Sequence, residues 1–191
     1  MSLAIFKKVL QLSDGTSCLN LGGGEPTIHP QFWEFLDLAI ASNHSKVWMA
    51  TNGKRTKITK KLMDLHVDGV IDMQVSRDAW HDPINPEIFD LCREKGISER
   101  RVHLISDNGS ATKNSVWNTR DCHCASCHVD MFGDVTPCAC DNAPKIFNVN
   151  DKDITKDAFS CVLNMSKRLG CVVNWAASDL ARLKRRVLND N

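Results

Sequence analysis

No apolar run in this sequence approaches the length of a membrane span. Its opening residues, Met1 to Leu12, form a short amphipathic pattern with Lys7 and Lys8 in the middle rather than a signal peptide. Membrane insertion and export are therefore not expected, and a cytoplasmic protein is. An excess of one charge is also missing, since 24 basic and 23 acidic residues leave a formal net charge of +1. Nothing in that balance calls for nucleic acid, an anionic membrane or a strongly acidic substrate. Low-complexity segments are absent, and no internal repeat goes beyond a strand-helix unit. At 191 residues the chain can bury one full core, or one core and a small appendage.

Cysteine, by contrast, is abundant. The count is nine, which is odd, and without an export signal a disulfide framework explains it poorly. Metal explains it better. Cys122, Cys124, Cys127, Cys138 and Cys140 crowd into one short segment, whereas Cys18, Cys92, Cys161 and Cys171 are scattered among apolar residues and read as core.

Periodicity supplies the frame. A helix is expected over Ala4 to Leu12, with Leu3, Phe6, Val9 and Leu10 on one face and Ser13-Asp14-Gly15 ending it. Cys18 to Leu21 reads as a strand. The glycine turn Gly22-Gly23-Gly24-Glu25-Pro26 follows, then a helix over Phe32 to Ala41 with Phe32, Phe35, Leu36, Ala39 and Ile40 on one face. The unit repeats: strand Lys46 to Ala50, turn Thr51-Asn52-Gly53 and helix Lys57 to Leu65, then strand Val70 to Val75, loop Ser76-Arg77-Asp78 and helix Pro86 to Glu94. A fourth strand is expected at Arg101 to Ile105. Such alternation implies a parallel sheet with right-handed crossovers, either open or part of a barrel. Either way the loops after the strands gather on one rim, so Gly22 to Glu25, Thr51 to Gly53, Ser76 to Asp78 and Asp107-Asn108 are expected to share a cleft. Taken singly, each is also an ordinary turn.

Beyond Asn108 the pattern changes. Gly109 to Asp121 is polar and aperiodic, the cysteines occupy 122 to 140, and Asn142 to Asp151 reads as a loop. Helices are expected over Ile154 to Leu169 and Ala176 to Leu188, and the run Lys184-Arg185-Arg186 suits the carboxyl end of the latter better than a nucleic-acid patch. The division is then 1–108 for the strand-helix region, 109–150 for a cysteine-rich appendage and 151–191 for C-terminal helices. Within the appendage, Cys122-x-Cys124-x-x-Cys127 and Cys138-x-Cys140 flank a hairpin with Gly133 near its tip, so the two knuckles can converge on one metal centre. Thiolates select an iron-sulfur cluster or, alternatively, zinc, and both take four ligands. Five cysteines exceed that number, and His123 and His128 could substitute; spacing does not choose among them.

These residues resemble the radical SAM enzymes, in particular those with a SPASM- or twitch-type auxiliary cluster segment. LGGGEPTIHP, from Leu21 to Pro30, is similar to the family's glycine-glycine-glutamate motif; TNG at Thr51 to Gly53, SRDAWHD at Ser76 to Asp82 and CHCASCHVDMFGDVTPCAC from Cys122 follow in the family's order. The resemblance covers roughly residues 4 to 150. It implies a partial (β/α) barrel with parallel strands, a small cysteine-rich appendage and C-terminal helices. It further implies that Gly22, Gly23, Gly24 and Glu25 meet the amino group of S-adenosylmethionine, that Ser76 lies near its carboxylate or ribose and Asn52 near the same cleft, and that one auxiliary-type 4Fe-4S cluster sits among Cys122, Cys124, Cys127, Cys138 and Cys140.

The sequence departs from the family in two respects, one being that about four strands precede the cysteine segment where the family has six. The CxxxCxxC loop that binds the cofactor-cleaving cluster would precede the first helix and is not present in this sequence. The expectation is a chain that binds one cluster and does not itself initiate radicals. Two alternatives stand beside it: an enzyme whose start is missing, and a non-catalytic, metal-stapled structural or assembly subunit. A barrel edge without its first strand would need covering by a protein partner or by self-association, against which a monomeric light-scattering mass would count.

Overall fold

The computed structural model describes residues 1–16, 18–77, 82–100, 126–139, 143–169 and 175–189. Two compact units divide the chain: Gly15–His103, and Met1–Asp14 together with Leu104–Asn191.

In Gly15–His103, strands β1 (Leu19–Leu21), β2 (Val47–Thr51), β3 (Asp72–Ser76) and β4 (Glu99–Arg100) form a parallel sheet in the order β1-β2-β3-β4. The register sets Leu21 beside Met49, Met49 beside Met73 and Thr51 beside Val75. Alternation explains which face is covered. Val47, Met49 and Thr51 of β2 and Met73 and Val75 of β3 are buried, while Trp48, Ala50, Asp72, Gln74 and Ser76 between them are half-buried. The connecting helices, α2 (Phe32–Ile40), α3 (Thr56–Val67) and α4 (Pro86–Glu94), supply Leu36, Leu62, Met63, Ile88 and Cys92 to the core.

Helix starts and stops follow local chemistry. Asn85 caps α4 by accepting a hydrogen bond from the Glu87 amide at 3.1 Å, and Pro86 takes the first-turn position where no amide hydrogen is needed. Ile40, expected on the buried face of α2, is exposed in the last turn, where the helix stops at Ala41. The stretch Arg101 to Ile105, expected as the fourth strand, and Asp107-Asn108 lie outside the described residues; β4 begins ahead of them.

The other unit opens with α1 (Leu3–Leu12), whose Ser2 side chain accepts from the Ile5 amide at 3.3 Å. It contains an antiparallel sheet of β5 (His128–Val129), β6 (Asp134–Thr136) and β7 (Phe147–Asn148), and two helices, α5 (Lys156–Leu169) and α6 (Ala177–Asn189). One core joins them: Val9 and Leu12 of α1, Val135, Ile146, Phe147 and Val149 of the sheet region, Phe159, Val162 and Met165 of α5, and Leu183 and Val187 of α6. Thus α1, contiguous in sequence with the parallel strands, packs in the unit that contains the carboxyl-terminal helices, and Asp14 just beyond it pairs with Lys156. Asn142 to Asp151, expected as a loop, holds strand β7. Phe147 pairs with Val135 and buries its ring, which two residues of strand suffice to do. Among the described residues, no helix is long and apolar enough to cross a membrane.

Candidate functional site

The carboxyl ends of β1 and β2 are tied together by one side chain. Glu25 leaves the glycine turn as the cap of a single 3-10 turn, Pro26–Ile28. Its Oε1 accepts from the Thr27 amide at 3.2 Å, the Thr27 hydroxyl at 2.5 Å and the Thr51 hydroxyl at 2.8 Å, and its Oε2 accepts from the Asn52 amide at 2.6 Å. Arg55 adds a second tie by donating from Nη1 to the Thr27 carbonyl at 3.2 Å. All four donors to the carboxylate are neutral, and among the described residues no ion pair involves Glu25. A unit negative charge is thus held at the rim beside three exposed glycines.

Gly23 and Gly24 have φ values of +87° and +76°, and a Cβ on either would meet open space, so the backbone there is accessible from outside. Gly22 needs no such conformation. Gly53 differs: at φ +72° a Cβ would lie 2.7 Å from Ile84 Cδ1 and 3.3 Å from Val75 Cγ1, which places the Thr51-Asn52-Gly53 turn against the end of β3. Asn52 spends its side chain locally, its Oδ1 accepting from the Lys54 amide at 3.0 Å, while Lys54 pairs with Asp82. Ser76 is half-buried at the end of β3, and Arg77 after it pairs with Glu99 at 2.9 Å and stacks over Phe89. The first three of the expected rim loops therefore stand at adjacent strand ends, with direct contacts between the first and second, while Gly53 of the second lies against Val75 near the end of β3. Asp78 to His81 lie outside the described residues. Sequence reading missed Thr27 and Arg55 as parts of this rim, and placed Thr51 in a rim loop without its bond to Glu25. A signal existed for Thr51, a hydroxyl at an inward position of an otherwise apolar alternation.

Of the five clustered cysteines, Cys127 and Cys138 are described; Cys122, Cys124 and Cys140 lie outside the described residues. β5 and β6 pair His128 with Thr136, so Cys127, just before β5, and Cys138, just after β6, both stand at the open end of the hairpin. Cys138 is buried, with the flanking backbone held by Thr136, whose hydroxyl donates to the Cys138 carbonyl at 2.7 Å, and by Ser166, whose hydroxyl donates to the Pro137 carbonyl at 3.0 Å. Burial pushes the Cys127 thiol up to about 12. Burial also lowers the His128 imidazole, against the opposing charge of Asp130. Among the described residues no three His, Cys, Asp or Glu side chains gather as a metal site. Cys18 is exposed, contrary to its expected place in the core, because it precedes the edge strand β1; Cys92 is buried as expected, its thiol raised to about 11 chiefly by burial.

A scan against protein-family models finds no match. Curated relatives do match. Over 94 residues, 49% of this chain, it is 36% identical to "Mycofactocin maturase MftC" of Mycolicibacterium smegmatis. It is 35% identical over 94 residues to the protein of that name in Mycobacterium tuberculosis, and 37% identical over 93 residues to that of Mycobacterium ulcerans. The aligned segment makes up 22 to 24% of each relative's own length, so this chain matches less than a quarter of those proteins.

Proposed function

We propose that this chain contributes the S-adenosylmethionine-facing loops of a partial radical-SAM-type barrel and an iron-sulfur-binding segment of SPASM or twitch type. The observation that carries the reading is the Glu25 carboxylate, fixed by neutral donors beside an accessible glycine turn. A partly buried anion without a cationic partner among the described residues is complementary to an ammonium group, and the methionyl end of the cofactor presents one. In this reading the exposed backbone of Gly22, Gly23 and Gly24 flanks that group, with Asn52 and Ser76 further along the rim. The sequential order of the four described strands, without a reversal among them, favours a singly wound barrel over a doubly wound sheet, whose order reverses at its ligand crevice.

The cysteine segment supplies the second half of the proposal. The hairpin brings Cys127 and Cys138 to one end, and Cys122, Cys124 and Cys140 flank them in sequence. When bound, S-adenosylmethionine supplies a radical precursor through reductive cleavage at an open iron. The nine cysteines contain no CxxxCxxC spacing, so this polypeptide is proposed to bind a cluster without initiating that cleavage.

Anaerobic reconstitution and calorimetry test both halves. About four irons and four sulfides per chain are expected, with no deoxyadenosine formed on reduction. S-adenosylmethionine binding should weaken at least about tenfold in Glu25→Gln, as loss of a charge-assisted hydrogen bond requires. Stoichiometric zinc without sulfide would overturn the cluster, and unchanged affinity in Glu25→Gln would overturn the ammonium site.

A further inference from the structure

Resting on the reading of Glu25 as the ammonium-facing carboxylate, we propose that Thr51 is the positioning residue of that site, fixing which carboxylate oxygen faces inward and which remains for the ligand. Thr51 ends β2 on its buried face and is 1% exposed. Its hydroxyl accepts from the Gly53 amide at 3.2 Å and lies 2.8 Å from Glu25 Oε1. An ionised carboxylate has no proton to give, so the single hydroxyl proton points to Glu25 while a lone pair takes the Gly53 amide. The side chain is thereby fixed in direction at both ends.

The consequence is an asymmetric carboxylate. Oε1 receives three donors and is saturated, whereas among the described residues Oε2 receives only the Asn52 amide. A carboxylate oxygen takes about two such bonds comfortably, so the spare capacity of the group lies on Oε2. Thr27 cannot set this orientation alone, because it is two residues from Glu25 and moves with the same turn. Thr51 reaches across from the neighbouring strand, 26 residues away. It therefore references the carboxylate to the sheet, and with it the Asn52 amide that shares the second turn.

Two readouts on the full chain separate this inference from the reading beneath it. In the ligand-free protein, Thr51→Val, which keeps the shape and removes the hydroxyl, is expected to speed hydrogen exchange at the Asn52 amide roughly tenfold, and Thr51→Ser to restore it. In calorimetry with S-adenosylmethionine, Thr51→Val is expected to weaken binding by about tenfold, again with rescue by serine. If Thr51→Val does not fold, Thr51→Cys replaces it, since a thiol of similar size is a weak donor. Unchanged Asn52 exchange in the variant overturns the positioning role irrespective of ligand. Equal S-adenosylmethionine affinity in wild type and variant overturns it too. A wild-type protein that takes up no S-adenosylmethionine removes the ammonium reading itself, and the ligand role of Thr51 with it.

Discussion

In Gly15–His103, Glu25 and Thr51 meet although 26 residues separate them, because Leu21 and Met49 lie in register and both strands end at the same rim. In the other unit, Cys127 and Cys138 come to one end of a hairpin through nothing more than a tight turn between two short strands. One site is assembled by sheet topology and the other by local spacing. A site of the first kind depends on the core that holds the register. A site of the second kind depends on its turn, and draws on its core mainly for a platform.

Core truncation makes the largest test of that contrast. Leu36→Ala, at a fully buried position of α2, is expected to cost about 2 to 5 kcal/mol, and Phe147→Ala on β7 about 3 to 5 kcal/mol, measured by denaturant unfolding. Of the two, only Leu36→Ala should also reduce S-adenosylmethionine affinity; an equal loss from Phe147→Ala would break the distinction. Next in size is Gly53→Ala. Its positive φ alone should cost about 1 to 2 kcal/mol, with Ile84 Cδ1, the tip of a flexible side chain, able to move aside. Gly22→Ala, at an ordinary φ where a Cβ would make only a van der Waals contact at 3.6 Å with Asn20 Oδ1, should leave the melting temperature near that of wild type, and a comparable loss at both positions would contradict the described turn. The smallest effect is on labelling rather than stability. In metal-free native protein at mildly alkaline pH, exposed Cys18 should react with a maleimide while Cys92 and Cys127 lag by roughly a hundredfold or more, since thiols raised this far hold little thiolate. Mass mapping of the adducts decides, and prompt modification of Cys92 would contradict its burial.

The repeating strand-helix unit was legible because period-2 and period-3.6 patterns alternate cleanly from Leu19 to Glu94, and α4 falls where its Asn-Pro start and Gly96 stop place it. The glycine turn and the Thr51 turn were legible as rim loops for the same reason. What Glu25 does at the rim was not. Its four donors come from residues whose meeting depends on register, which no local pattern encodes. Strand β7 escaped because two residues carry no periodicity, and the placement of α1 escaped because a helix declares its apolar face but not its partner. The cysteine spacing carried the expectation of metal chemistry, while the buried state of Cys138 and the raised Cys127 thiol came only from packing.

That placement of α1 has a consequence for the order of events during synthesis. Val9 and Leu12 leave the ribosome well ahead of the surfaces that bury them, around Phe159, Val162 and Leu183, which are made about 150 residues later. At roughly 5 to 20 residues per second the helix waits on the order of ten to thirty seconds with its apolar face exposed. The Gly15–His103 strands, whose contacts are mostly between neighbours in sequence order, can close in the meantime. Nascent chains stalled before residue 156 should therefore carry a finished sheet and an unhoused α1, the segment on which a chaperone would act.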